Sequence, residues 1–189
     1  MAYLSEERLQ AFGFKYLGKN VRISDKASIY NPELIEIGDR SRIDDFCVLS
    51  GKISIGKNVH IAPLCLVAGG EKGIIFKDFS GLAYHVQVFT QSDDYSGETL
   101  TNPTVPVEFK QEVKSAVSIG KHVIVGAGSI VFPGVQIADG CSIGALTLVN
   151  KSTDEWGIYL GNPARRIKDR KKNLLLLEKN YLLSLNHVE

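Results

Sequence analysis

Cysteine is scarce in this chain of 189 residues, with three at positions 47, 65 and 141. Three widely separated thiols without C-x-x-C spacing make neither a disulfide framework nor a cysteine zinc site. An excess of one charge is missing too. Lys plus Arg number 22 against 21 Asp plus Glu, so no whole-chain field draws the protein to nucleic acid or an anionic membrane. An anionic ligand must therefore be met by local basic residues. No run of about 18 apolar residues occurs, and the opening Met1-Ala2-Tyr3-Leu4-Ser5 lacks a basic stretch followed by an apolar one. These absences predict a cytoplasmic protein without stable membrane insertion. With 44% hydrophobic and 23% charged residues, the length suits one domain with small appendages.

What the chain does have is a period of six. Counting in sixes from Ile37 gives Ile37, Ile43, Leu49, Ile55, Ile61 and Val67; from Ile119 it gives Ile119, Val125, Val131, Ile137, Ile143 and Val149. Ile, Leu and Val fill 52 of the 189 positions, so twelve hits at preset places have a chance of about 10⁻⁷. Two residues ahead of each marker stands a small or β-branched residue, among them Ser41, Cys47, Val59, Cys65, Val123, Ser129, Cys141 and Thr147. A middle block with markers Phe76, Leu82 and Val88 is shifted in register, which predicts a short insertion looped out at 69–73.

Six residues fit neither a helix nor one long strand; they fit a short strand plus a corner. Gly, Asp, Asn and Lys follow most markers, as in Gly38-Asp39, Gly56-Lys57-Asn58 and Gly120-Lys121, and supply the corners. Three such units close an 18-residue triangular coil, and stacked coils form an all-β solenoid. Cys47 and Cys65, 18 apart, should lie one above the other inside it as small buried hydrophobes.

The repeats Ile37-Gly38-Asp39-Arg40-Ser41-Arg42, Ile55-Gly56-Lys57-Asn58-Val59-His60 and Ile119-Gly120-Lys121-His122-Val123-Ile124 resemble those of the hexapeptide-repeat acyltransferases. The likeness runs from about residue 20 to 170 and includes Gly161-Asn162-Pro163-Ala164-Arg165-Arg166-Ile167, which resembles the family's ending before a C-terminal helix. Ser92-Asp93-Asp94-Tyr95-Ser96-Gly97 and Thr101-Asn102-Pro103-Thr104-Val105-Pro106 are similar to the branch that acylates surface-polysaccharide sugars. The resemblance implies a left-handed parallel β-helix, a homotrimer with sites between subunits, and acetyl-CoA as acyl donor. Left-handedness comes from the resemblance alone, because connections between parallel strands otherwise favour the right hand.

Domain bounds follow as an N-terminal helical segment at 1–19, the β-helix at 20–160 with an excursion loop at 93–116, and a C-terminal segment and helix at 161–189. Ser5 with Glu6 and Glu7 can cap the first helix. Residues 171–183, with four consecutive leucines, read as the second, packed on a coil or another subunit. The polar excursion is the first candidate for the acceptor pocket, since long loops in compact domains are commonly functional.

Acyl transfer from a thioester needs a nucleophile freed of its proton, donors for the tetrahedral oxyanion, and a seat for coenzyme A. The family's usual base is a histidine just after the strand matching 88–90, where this sequence carries Asp93-Asp94. His85, expected on the preceding strand, is one candidate base; Asp93 or Asp94 accepting a proton from an amine is the other. By correspondence Gly126-Ala127-Gly128 and Gly144-Ala145 border the pantetheine arm, with the Ala127 amide as oxyanion donor. Asn150, Lys151, Arg165 and Lys168 match places that meet adenine and phosphate, where cations suit phosphate charge.

The expected reaction is acylation of a sugar, with the amine of a nucleotide-linked amino-deoxy sugar favoured and a sugar hydroxyl as the alternative. A zinc-dependent carbonic-anhydrase branch shares the fold, but histidines 60, 85, 122 and 187 include no pair five apart, so no metal is expected. A non-catalytic trimeric scaffold is the remaining alternative.

Overall fold

In a computed structural model, which describes residues 2–185, the aliphatic period becomes the lining of a three-sided coil. All twelve markers are at most 3% exposed, and their partners lie one coil above: Ile37 pairs with Ile55, Ile43 with Ile61, Leu49 with Val67. The first face stacks Arg22–Ile23, Arg42–Ile43, His60–Ile61, Gly81–Leu82, Ile124–Val125, Ser142–Ile143 and Gly157–Leu160, all parallel. The second stacks Ser28–Ile29, the start of Val48–Ile55, the start of Leu66–Phe76, Gln87–Phe89, Ile130–Val131 and Leu148–Val149. The third stacks Tyr16–Leu17, Ile35–Ile37, the ends of the same two long strands, Val117–Ile119 and Gln136–Ile137. Two-residue strands have no stability alone; each is held by its neighbours above and below and by its buried aliphatic.

The 69–73 segment is not looped out. Leu66–Phe76 runs as one eleven-residue strand around a corner, alongside the eight-residue Val48–Ile55, and takes up the extra residues as register shifts near Gly51 and Gly70. Gly51, Gly70 and Gly73 adopt positive φ there, which lets the strand turn without losing its partner. Cys47 and Cys65 are buried, and each thiol lies 3.1 Å from the carbonyl of the corner one coil on, Ala62 and Ala83 respectively. The neighbouring Cys47 thiol, followed by burial, pushes the Cys65 thiol up, and both side chains belong to the buried core.

Helix α1 (Glu6–Ala11) closes the lower end, with Ser5 Oγ accepting from the Arg8 amide. The upper end closes on an antiparallel hairpin of Gly157–Leu160 with Arg165–Asp169, so the Gly161-Asn162-Pro163 ending leads into a strand before α2 (Leu174–Leu185). The excursion is itself ordered by pairing of Gln91–Ser92 with Val113–Lys114, and Glu112 binds Lys110 and Lys114 at its base. Among the described residues no helix is long and apolar enough to cross a membrane.

Candidate functional site

Where the first face meets the second, short corners stack at 44–47, 62–65, 83–86, 126–129 and 144–147. The third residue of each is left-handed: Phe46, Leu64, His85, Gly128 and Leu146, with φ between 55° and 69°. Its amide donates to the corner below, His85 to Pro63 O at 3.0 Å, Gly128 to Tyr84 O at 2.9 Å and Leu146 to Ala127 O at 2.9 Å. His85 therefore lies at a corner and not on a strand. Its ring is exposed and takes no hydrogen bond within the described residues, and it sits directly beneath Gly126-Ala127-Gly128. Histidine tolerates this left-handed geometry better than most side chains do.

The residue before the left-handed one keeps its amide unpaired in three successive corners. Tyr84, Ala127 and Ala145 donate those amides to no acceptor among the described residues, forming a column of free N–H groups at about 4.8 Å steps. Such fixed, unpaired donors suit an oxyanion. The glycines have a packing reason as well. A Cβ on Gly126 would lie 2.6 Å from the Gly144 carbonyl carbon, and one on Gly144 would strike the Leu160 side chain. Small residues here let the coils stack.

The structure thus gathers His85, Gly126, Ala127, Gly144 and Ala145 into one row. Arg165 pairs with Leu160 and so lies beside its upper end, while Lys168 pairs with Ile158 at the far end of that strand. Asn150 and Lys151 are exposed one face further round, after Leu148–Val149. None of Lys151, Arg165 and Lys168 forms an ion pair within the described residues.

Asp93 and Asp94 are not brought to His85 within the chain. They follow Gln87–Phe89 at the opposite edge of the second face. Asp94 receives the amide of Ser96 at 2.8 Å and the amide and hydroxyl of Thr99 at 3.0 and 3.1 Å. Bonds from Ser96 and then Thr99 hold its carboxyl down to about 2, which leaves it a poor proton acceptor near neutral pH. Among the described residues the Asp93 carboxylate accepts the Asn102 amide alone, at 3.3 Å.

Sequence reasoning passed over a polar cluster on the first face. Arg42 and His60 are direct partners across neighbouring coils, and Asp44 Oδ2 lies 2.7 Å from His60 Nε2 and 3.0 Å from Arg42 Nη2. The 18-residue spacing of Arg42 and His60, both at outward positions, was the available signal. Above this cluster a cavity of about 670 Å³ separates the first face from α2. Among the described residues no three His, Cys, Asp or Glu gather as metal ligands; His187 lies outside the described residues.

Fold and corner together define a class, the hexapeptide-repeat acyltransferases wound as left-handed parallel β-helices, and the chain belongs to that family. It is 43% identical over 181 residues to the dTDP-4-amino-4,6-dideoxy-D-glucose acyltransferase of Escherichia coli, covering 94% of both chains. No family model matches the chain. Among solved structures it resembles AntD, an N-acyltransferase from Bacillus cereus, in complex with dTDP and 3-hydroxybutyryl-CoA, at 47% identity and a TM-score of 0.96 over 97% of this chain and 98% of AntD. An AntD variant bound to dTDP-4-amino-4,6-dideoxyglucose and coenzyme A superposes equally well, at 48% identity, a TM-score of 0.96 and the same coverage.

Proposed function

We propose that this protein transfers an acyl group from acyl-CoA to the 4-amine of a dTDP-linked 4-amino-4,6-dideoxyglucose. The observation that carries the reading is the free Ala127 amide, which stands over Tyr84 and so next to His85, in a family that includes the dTDP-4-amino-4,6-dideoxy-D-glucose acyltransferase and the N-acyltransferase AntD. The amine nitrogen attacks the thioester carbonyl, the Ala127 N–H receives the oxyanion, and collapse breaks the C–S bond. His85 takes the proton lost by the amine and returns it to the departing thiolate, so the charges balance. Arg165 supplies cationic charge toward the donor's phosphates, with Lys151, Asn150 and Lys168 nearer its far end. Asp94 shapes the excursion loop, and Asp93 stands at the edge that faces a second subunit.

The working unit in this reading is a homotrimer. The outward row of the second face holds Val48, Leu66, Ile130 and Leu148, interrupted by Gln87, and Phe46, Leu64 and Leu146 stand exposed along its corner. Nucleotide sugar and acyl-CoA place the reaction in the cytoplasm, on the way to a lipopolysaccharide or related surface polysaccharide. The test is thiol release from acetyl-CoA and 3-hydroxybutyryl-CoA with the dTDP-4-amino sugar and with its 4-hydroxy counterpart, products being weighed by mass spectrometry. Transfer to the amine is expected; turnover confined to the hydroxyl compound would overturn the reading.

A further inference from the structure

The cavity beneath α2 adjoins the reacting corner without being part of it. Its floor is Gly81, which leaves a gap between His60 below and Ile124 above, and its roof is Leu174, Leu177 and Tyr181 of the helix. One end reaches Ala83 and Tyr84, the two residues that lead into His85. About 670 Å³ is ample for a ligand fragment larger than a sugar ring.

Its polar groups are fixed rather than loose. Asp44, 1% exposed, holds the His60 ring through Nε2 at 2.7 Å, with Arg42 Nη2 2.9 Å from the same nitrogen; the neutral ring that donates Nε2–H to this carboxylate keeps Nδ1 as an acceptor, with no partner among the described residues. Asn58 Oδ1 is occupied by Arg40 Nε at 3.2 Å and the Tyr181 hydroxyl at 3.0 Å, so its amide nitrogen is the group left to donate. The buried side-chain polar atoms without a partner among the described residues are Arg42 Nε, Asp44 Oδ1 and Asn58 Nδ2; Asn58 lines the cavity, and Arg42 and Asp44 belong to the cluster that holds His60. Buried polar atoms are paired almost everywhere in folded proteins, and orphans gathered in one place mark a missing partner.

We infer that this cavity receives the pyrimidine base of the acceptor nucleotide, an imide-type base such as thymine or uracil. The inference rests on the reading of the acceptor as a nucleotide sugar. A planar ring fits the gap over Gly81, its imide N–H is matched by His60 Nδ1, and a ring carbonyl is matched by the Asn58 amide. His60 and Ala127 belong to coils two steps apart, roughly 10 Å along the axis. A diphosphate between base and sugar bridges such a distance, so the amine can reach His85 past Tyr84.

The test is calorimetric titration of dTDP, without acyl donor, into the wild-type protein, Ile124→Trp and His60→Gln, with coenzyme A titrated in parallel and oligomeric state checked by light scattering. Ile124→Trp fills the cavity from an exposed position, and His60→Gln keeps the surroundings while displacing the acceptor. Weakening of dTDP by tenfold or more in both variants, with coenzyme A binding unchanged, is the expected result, together with weaker binding of dCDP than dTDP by the wild type. Equal dTDP affinity in all three proteins overturns the placement while leaving the nucleotide-sugar reading intact. A wild-type protein that binds no dTDP overturns the reading itself and the placement with it.

Discussion

Two corners of the coil share one backbone and differ in what caps it. Between the third and first faces, Asn20, Arg40, Asn58, Phe79, His122 and Trp156 take the left-handed position, and from Arg40 upward their amides bond the corner below just as those of Leu64, His85 and Leu146 do at the other corner. Here, however, the amides of Lys19, Lys57 and Lys121 are capped by the carboxylates of Asp39, Asp78 and Asp139 at 3.0, 2.7 and 2.9 Å. Asp139 follows Lys121 by 18 residues; Ala145 follows Ala127 by the same 18. Alanine where the other corner has aspartate leaves the Ala127 amide bare. The histidines differ in the same sense. His122 stacks on Phe79 with centroids 5.2 Å apart and bonds Glu178 of α2 at 2.8 Å, whereas His85 points to solvent without a partner. One corner is a strut under a helix and the other is left uncapped, the corner at which the proposed reaction is set, and the distinction lies in side chains on an unchanged frame.

The most direct way to break this contrast is to make the open corner like the closed one. Ala145→Asp places a carboxylate where Asp139 sits relative to Lys121, and it should cap the Ala127 amide. Turnover is expected to fall by about 10²–10³, the usual cost of losing one oxyanion donor, with no loss in denaturant midpoint because Ala145 is exposed. Unimpaired turnover would remove the Ala127 amide from the mechanism.

The paired histidines give the next largest difference. His85→Ala should lower kcat by about 10²-fold while leaving the unfolding midpoint in place, since the ring packs against nothing. His122→Ala should do the reverse, costing about 1 kcal/mol of stability through the lost bond to Glu178 and stack on Phe79, with kcat nearly unchanged. Steady-state kinetics beside urea titration separates the two, and a matched loss of rate in both variants would erase the distinction between the corners.

Much of this could be seen in the residue order, because a coil of fixed length turns sequence separation into vertical position. Eighteen residues link Lys121 to Asp139, Ala127 to Ala145 and Arg42 to His60, and the buried aliphatics mark where counting begins. The glycines at 70 and 73 misled for a physical reason: positive φ serves a strand that bends as readily as a loop that leaves it. That strand and the excursion break the count between Leu82 and Val125, neighbours in the structure though 43 positions apart, which obscured the corner position of His85. Asp94 could not be judged from its type, since its acidity is set by amides two and five residues on. The docking of α2 through Tyr181 and Glu178 joins residues 123 and 56 positions away, beyond any local pattern.

A smaller effect concerns the donor end. Arg165→Ala with Lys168→Ala should raise the apparent KM for acyl-CoA by about tenfold with little change in kcat, because exposed cations each contribute modestly to phosphate binding. Arg165 lies beside the open corner and Lys168 toward the closed one, so the single variants grade the site: the larger share should come from Arg165. Equal shares would move the phosphates away from the corner row.

The slightest change is expected from acid. Asp39 is held below its ordinary value by the Lys19 amide and then by the Lys57 ammonium, and Asp139 is lowered by the Lys121 amide and Lys77 against the upward pull of burial. A carboxyl whose folded value is depressed adds stability above its unfolded value and loses it as pH falls through the folded one. The closed corner should therefore loosen only below about pH 4, seen as lower protection at the amides of Lys19 and Lys121 than at pH 7 once the intrinsic pH dependence of exchange is divided out. The amides of Tyr84, Ala127 and Ala145 have no cap to lose, so beyond the intrinsic pH dependence their protection should stay low and flat. Asp139→Ala should give Lys121 that same flat behaviour at every pH, turning one rung of the closed corner into a copy of the open one without conferring any acyl transfer on it.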